Sequence, residues 1–270
     1  MLFTATLLVL GAGLDLFVFP EATDTMFAWS IQPALTAAFL GANYLAAGVI
    51  EFGAARQVVW ARARVAVPAV LLFTVLTALL TLWNLSDYNL RNPMAWLWII
   101  VYLGVPPVLG LAWWKQCATP GAEPPCEAPL PRAMRSITVL LGVTIIGFGL
   151  ALIVVPRWAS PLWPWTLTSA DDTYGSGGAG AMEAYVGVWL LSWGAVMFHA
   201  AIENDLLRTG YVFASLAALA SLQSLALYRF SLIANWHTPA AIYLSAIAVL
   251  GAVGLWGWIA AARAWKPQGR

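Results

Sequence analysis

Residues 11–20 read GAGLDLFVFP, and residues 147–156 read GFGLALIVVP. A shift of 136 residues keeps both glycines and the proline in register, and it then places Trp29 on Trp165. Leucine and valine matches arise easily in apolar sequence, whereas glycine, proline and tryptophan landmarks in the same order do not. The pairing therefore predicts a duplicated unit, and duplication determines architecture before it says anything about function.

The register continues with a shift of 146 residues over the rest of each copy. The difference of ten residues (146 − 136) falls at Ala170–Ala181, a longer glycine-rich loop in the second copy. We predict a first repeat at residues 1–114, a proline-rich, solvated linker at 115–135 and a second repeat at 136–270. The landmarks of the second shift are the pairs Gly41/Gly187, Gly48/Gly194, Arg62/Arg208 and Pro93/Pro239.

The composition requires a bilayer as solvent. Hydrophobic residues make up 61% of the 270 residues and charged residues 9%, and the mean hydropathy is +0.79. A soluble domain carries roughly a quarter charged residues. We predict an all-α integral membrane protein with eight transmembrane helices, four in each repeat. The predicted spans are Leu2–Phe19, Ala34–Phe52, Val65–Trp83, Met94–Trp113, Ser136–Val155, Glu183–Ala200, Tyr211–Phe230 and Pro239–Ala262.

The basic residues are sorted by side in this eight-span arrangement, with ten on one face and three on the other. The positive-inside rule then places both termini in the cytoplasm and the protein in the cell (inner or plasma) membrane. Even span numbers make the two repeats parallel. A net charge of +1 gives no reason to expect nucleic acid as a partner, and the Arg, Ala and Trp usage is typical of a high-GC bacterium. The minority face carries Arg91, Arg157 and Arg229.

Polar residues inside the spans are the candidates for a binding site, because intramembrane ionisable groups are costly. Asp15 has Ala151 as its repeat counterpart, and Glu183 has Ala37, so each acid belongs to one repeat only. Their positions favour a site in the outer half, between the repeats. The predicted polar lining is Asp15, Asn43, Tyr44, Glu183, Tyr185 and Gln223.

The aromatic and arginine landmarks predict anchors at the two membrane surfaces. Trp29, Trp163 and Trp165 lie in outer loops of a tryptophan-rich chain, and tryptophan prefers the headgroup level. Arg62 and Arg208 lie in matching inner loops, where anionic headgroups attract arginine. A ligand-facing lip at the tryptophans is the alternative interpretation.

No pattern of catalytic residues is readable. His199 and His237 fall near opposite membrane faces, so they do not clamp a haem, and Cys117 and Cys126 are interpreted as ordinary thiols of the linker. Glu51 and Glu203 lie at inner helix ends, where water is expected to reach them. We predict no metal site, no cofactor and no catalytic residues.

These observations favour a membrane scaffold or accessory subunit, with the bilayer and a membrane protein or second copy as partners. The alternative is a carrier or binder of a small apolar or lipidic molecule at the interface of the two repeats. A membrane enzyme acting on lipid or quinone is the weakest hypothesis, because no nucleophile and base are paired. A polar-lined cavity would favour the binder, and a filled core would favour the scaffold.

Overall fold

The computed structural model describes residues 2–118, 125–167 and 181–265, and every regular element within them is helical. Eight of these helices have 17 residues or more, and each coincides within a few residues with one of the predicted apolar stretches. They are α1 Leu2–Val18, α2 Ala34–Ala55, α3 Val67–Trp83, α4 Pro93–Ala118, α5 Arg132–Val154, α6 Ala181–Glu203, α7 Leu206–Arg229 and α8 Thr238–Ala264.

Six of the helices, α2 and α4 to α8, are long and apolar enough to cross a membrane. The apolar helices α1 and α3 have 17 residues each, or about 25 Å at 1.5 Å per residue, which is slightly less than the roughly 30 Å of a hydrocarbon core. The prediction of an all-helical, multi-pass membrane protein is therefore confirmed with six candidate spans. The predicted loop insertion lies, apart from Ala181, outside the described residues.

The helices pack in pairs, and the pairs cross over between the halves. Within the first half α1 packs on α2 and α3 packs on α4, and within the second half α5 packs on α6 and α7 on α8. Between the halves, α2 packs on α7 and α6 packs on α3. The second helix of each half thus lies against the third helix of the other half.

Glycines allow the first two helices of each half to touch. A Cβ added to Gly41 would lie 2.9 Å from the carbonyl oxygen of Gly13, and one added to Gly187 would lie 2.7 Å from that of Gly149. Small residues let transmembrane backbones approach this closely. The predicted repeat register pairs Gly41 with Gly187 and Gly13 with Gly149, so the two crossings use paired positions.

The core lies around α2 and α6. About three quarters of the residues in their most apolar segments are buried, 78% in α2 and 72% in α6, against 22% in α5 and 28% in α4. The peripheral helices α4, α5 and α8 instead present long apolar faces such as those of Leu111, Leu140 and Trp258, which are 51–66% exposed. Such faces are suited to acyl chains.

The second part of the linker forms hydrogen bonds with the loop between α6 and α7, while most of its residues remain exposed. Asp205 accepts a hydrogen bond from the backbone N–H of Glu127 at 3.1 Å, and the backbone N–H of Leu206 donates to Ala128 O at 2.7 Å. These bonds occupy backbone groups on both sides that would otherwise need water. The linker thereby covers the loop between α6 and α7, while residues 119–124 lie outside the described residues.

Candidate binding site

The helix ends define two ends of the bundle. The tryptophan-rich end comprises residues 19–33, 84–92, 155–167 and 230–237, and the arginine-rich end comprises residues 56–66, 125–131 and 204–205. Both ends contain contacts between the two halves, and their side chains decide which parts of the interior are filled.

Ring contacts join the halves at the tryptophan-rich end. Trp29 stacks on Tyr185 of α6 with ring centroids 5.2 Å apart. Trp165, the counterpart of Trp29, meets Phe39 of α2 edge-on at 5.7 Å, and Phe39 is the counterpart of Tyr185. Trp165 also donates its indole N–H to Thr36 Oγ1 at 3.0 Å. Each half therefore places a loop tryptophan on the second helix of the other half.

Burial changes the interpretation of the predicted aromatic anchors. Trp163 and Trp165 are 5% and 3% exposed, so protein side chains surround both rings. Trp163 contacts Tyr243 and stacks on Phe148. Trp29 is partly exposed but is enclosed by rings of both halves. Sequence position alone suggested the headgroup level because the contacts between the halves could not be seen.

The predicted arginine anchors are also engaged within the protein. Arg208 is 6% exposed, and its Nη1 donates to Glu203 at 2.7 Å. Arg62 pairs with Glu127 at 3.3 Å, and its guanidinium lies 5.7 Å from the ring centroid of Trp265. Neither arginine is therefore a simple headgroup contact in this structure.

A buried ion cluster at the arginine-rich end is centred on Glu203. Its side chain is only 3% exposed, and it accepts hydrogen bonds from Arg64 Nε at 2.6 Å and from Arg208 Nη1 at 2.7 Å. His199 Nε2 lies 3.5 Å from the same carboxylate, and Asp205 lies 3.6 Å from Arg208. Arg64 belongs to the first half and Glu203 to the second, so the cluster joins the halves. Protein charges, rather than the expected water, surround this carboxylate.

Three of the predicted lining residues serve the structure. Asn43 Nδ2 and Gln223 Nε2 both donate to Phe39 O, at 2.7 and 3.2 Å. Asn43 Oδ1 accepts from Trp193 at 2.7 Å, and Gln223 Oε1 accepts from Tyr243 at 3.0 Å. Tyr185 shares a hydroxyl hydrogen bond of 2.7 Å with Tyr88. These polar groups satisfy one another across the halves.

The two predicted acids lie apart from this network. Glu183 is 4% exposed, accepts from Ser160 Oγ at 3.0 Å and lines a depression of about 770 Å³ at the tryptophan-rich end. The described residues that form this depression all belong to the second half. Asp15 is partly exposed on α1 and lines neither this depression nor the cavity below.

A cavity of about 100 Å³ lies between the two halves. Its walls come from α1, α2, α3 and α4 of the first half and from α6 of the second, and they are almost entirely apolar. Leu8 of α1 forms part of the wall and is 42% exposed, so this side of the cavity reaches the lipid-facing surface. Tyr44 is the one predicted lining residue that contributes to it.

The cavity lies in the half of the bundle next to the arginine-rich end. Ala5 lies near the start of α1, and Glu51 lies near the end of α2. Sequence analysis favoured the opposite, outer half. The difference arises because α6 of the second half packs against the first half, a contact between distant parts of the chain that no local pattern reveals.

Nearly all polar groups in the cavity wall are satisfied. The hydroxyl groups of Tyr44 and Tyr102 share a hydrogen bond of 2.6 Å. Ser192 donates to Val188 O at 2.8 Å, and Thr74 donates to Val70 O at 2.9 Å. The fifth polar wall residue is Glu51.

Glu51 has an unsatisfied carboxyl oxygen. The residue is 4% exposed, and its Oε2 has no hydrogen-bond partner. A buried polar group without a partner costs free energy, so it indicates either a ligand contact or strain. The sequence analysis placed this side chain at an open helix end, whereas the structure packs it among α1, α3, α4 and α6 at the wall of the cavity.

Comparison with protein-family models, with curated proteins and with solved structures finds no match to this chain. Among the described residues, no three His, Cys, Asp or Glu side chains are grouped to hold a metal ion. The cavity and the contacts between the two halves are therefore the features that bear on function.

Proposed function

We propose that the chain is an eight-span protein of the cell membrane, built from two tandem, parallel four-helix repeats with both termini in the cytoplasm. The matched glycine crossings, the reciprocal tryptophan contacts and the reciprocal packing of α2 and α6 support the duplication. Helices of 17 residues are at the short end of the range that spans a bilayer, which supports including α1 and α3.

Cysteine labelling tests this topology. In a variant with Cys117→Ser and Cys126→Ser, an impermeant maleimide should label Leu232→Cys in intact cells and Val58→Cys only after permeabilisation. Both side chains are fully exposed, at opposite ends of the bundle, so accessibility is matched. Labelling of Val58→Cys in intact cells would overturn the orientation.

For function, the geometry best supports a non-enzymatic binder of a small apolar or lipidic molecule at the interface of the two repeats. The observation that supports this function is the apolar cavity between α1–α4 and α6. Sites for drug-sized ligands have roughly 300–1,000 Å³, whereas an apolar cavity of about 150 Å³ binds benzene. A cavity of about 100 Å³ therefore suits a short alkyl chain or the end of an acyl chain.

Photolabelling in proteoliposomes tests the binding. The probe is 1-octanol carrying a diazirine, and the specific signal is the part of the labelling that excess unlabelled 1-octanol or octane removes. We expect this saturable labelling on peptides of α1 and α4 that line the cavity, such as those containing Val9 and Val101. Uniform, non-saturable labelling of all lipid-facing helices would contradict the proposal.

A cavity-filling variant provides the control. Ala47 lines the cavity, so Ala47→Phe should abolish saturable labelling. Ala246 is exposed on α8, and Ala246→Phe adds the same ring without touching the cavity, so its labelling should match wild type. A folded Ala47→Phe variant with unchanged saturable labelling would also contradict the proposal.

The second candidate function is a membrane scaffold or accessory subunit. The observation in its favour is that Asn43 accepts from Trp193 and Gln223 donates to Phe39 O, so these polar groups of the interior serve contacts between the halves. The faces of α4, α5 and α8 would then receive a membrane protein or a second copy of the chain. A protein without saturable labelling that purifies as a defined oligomer would favour this candidate.

A further inference from the structure

Glu51 gives the cavity a polar end. The carboxyl group lies four residues before the end of α2, or about 6 Å along the helix axis, and Tyr44 lies seven residues deeper, or about 10 Å. The rest of the wall is mainly apolar, with Leu8 and Val9 on α1 and Val105 on α4, and its hydroxyl groups already have hydrogen-bond partners. The cavity therefore has an unpartnered polar group near the end of α2 and a mainly apolar course toward the level of Tyr44.

The carboxyl group is not a requirement of packing. The repeat counterpart of Glu51 is Met197, which is completely buried in α6. The same helix position is therefore filled by a flexible apolar side chain in the other half. A carboxyl at this position of the first half leaves Oε2 unpaired, which a structural role alone does not explain.

We infer that the cavity binds a neutral, single-chain amphiphile whose hydroxyl group donates a hydrogen bond to Glu51 and whose alkyl chain lies along α1 and α4. The inference rests on the proposed function and specifies its ligand. The hydroxyl would supply the partner that Oε2 lacks, and it would lie at the depth at which amphiphile head groups meet acyl chains. A course of about 10 Å takes a chain of medium length.

The choice of a neutral head group follows from the surroundings. The other polar wall groups are hydroxyls that already have partners, so the wall offers little to solvate a charge. An ammonium head group would lose several kcal/mol of hydration on entering this wall, whereas a hydroxyl that forms a hydrogen bond loses much less. The exposed Leu8 places the route of entry on the lipid side.

Matched competitors test the head group. In the photolabelling assay, 1-octanol and octane are compared at equal mole fractions in the membrane, which removes differences in partitioning. In wild type we expect 1-octanol to block labelling at about tenfold lower mole fraction than octane, which corresponds to about 1.4 kcal/mol. Equal blocking by the two would overturn the inference and leave the proposed function standing, because both would still compete.

Two variants assign the preference to the carboxyl group. Glu51→Met copies the residue of the second half and should reduce the tenfold preference to about onefold, with octane still competing. Glu51→Gln keeps a side-chain oxygen acceptor and should retain most of the preference. A tenfold preference that survives in Glu51→Met would overturn the assignment, as would octylammonium competing better than 1-octanol in wild type.

Folding and binding remain separable in this design. Replacing a buried polar group by an apolar one of similar volume is often neutral or stabilising, so Glu51→Met should keep the melting temperature of wild type. Absence of saturable labelling in wild type would reject the proposed function together with the inference.

Discussion

The two halves handle the space between their helix pairs differently. In the first half, the α1–α2 pair and the α3–α4 pair stand on opposite sides of the cavity, and Glu51 and Ala47 face it. In the second half, α5 contacts α8 and α6 contacts α7, and the counterparts Met197 and Trp193 are large buried side chains. At the two positions where the first half presents Glu51 and Ala47 to the cavity, the second half therefore carries larger side chains, and one of them, Trp193, closes the same cavity from the opposite side.

The two proposed repeats share some positions and differ at others. Glycine contacts between first and second helices are present in both halves. Ionisable and cavity-lining residues differ between the halves, as Glu51, Asp15 and Glu203 illustrate, with counterparts Met197, Ala151 and Gln57. In the proposed repeats, positions that set backbone approach therefore match, whereas positions that set polarity differ.

The largest expected effect comes from the ion cluster. Glu203→Leu removes the carboxylate that accepts from both Arg64 and Arg208, and breaking a buried ion pair costs about 3–5 kcal/mol of unfolding free energy. Its counterpart Gln57 only donates to Gly53 O at 3.0 Å, so Gln57→Leu should cost less than about 1 kcal/mol. Thermal unfolding of the two variants in detergent measures the difference. Equal losses would mean that the cluster does not distinguish the halves.

A smaller, symmetric effect is expected at the glycine crossings. Gly41→Ala brings Cβ within 2.5 Å of Phe17 N, and Gly187→Ala brings it within 2.7 Å of Gly149 O. Overpacking of this kind costs about 1–3 kcal/mol. The melting temperature should therefore fall in both variants by similar amounts.

The repeat supplies matched controls for these glycines. Gly11 and Gly147 are counterparts, and an added Cβ meets nothing within 4 Å at either position. Gly11→Ala and Gly147→Ala should be neutral or slightly stabilising, since alanine favours helix. Tolerance of Gly187→Ala together with a strong loss in Gly41→Ala would break the equivalence of the crossings.

The smallest effect is expected at Asp15. The side chain is partly exposed, and its counterpart is Ala151. Because a carboxyl group within a span is costly, Asp15→Ala should leave the protein as stable as wild type or slightly more stable. It should also leave saturable labelling of the cavity unchanged, because Asp15 does not line it. A large loss in either measurement would restore Asp15 as a functional residue.

Sequence reasoning predicted the helices because long apolar runs leave few alternatives in a bilayer, and it predicted the matching glycines because their order repeats. It placed Trp163 and Trp165 at the headgroups, and their burial depends on Phe39 and Tyr243, which lie far away in the sequence. The location of the cavity could not be predicted from the sequence for the same reason. It depends on α6 packing against the first half, and periodicity within one segment carries no information about that contact.

The packing of α2 on α7 and of α6 on α3 has a consequence for biosynthesis. The first four helices leave the ribosome while α6 and α7 do not yet exist, so the most buried face of α2 initially meets only lipid or an insertion factor. Ser215 of α7 later donates to Ala46 O of α2 at 2.6 Å. Neither half can complete its interior alone, and co-expression of two separate halves should restore a protein that either half alone cannot form.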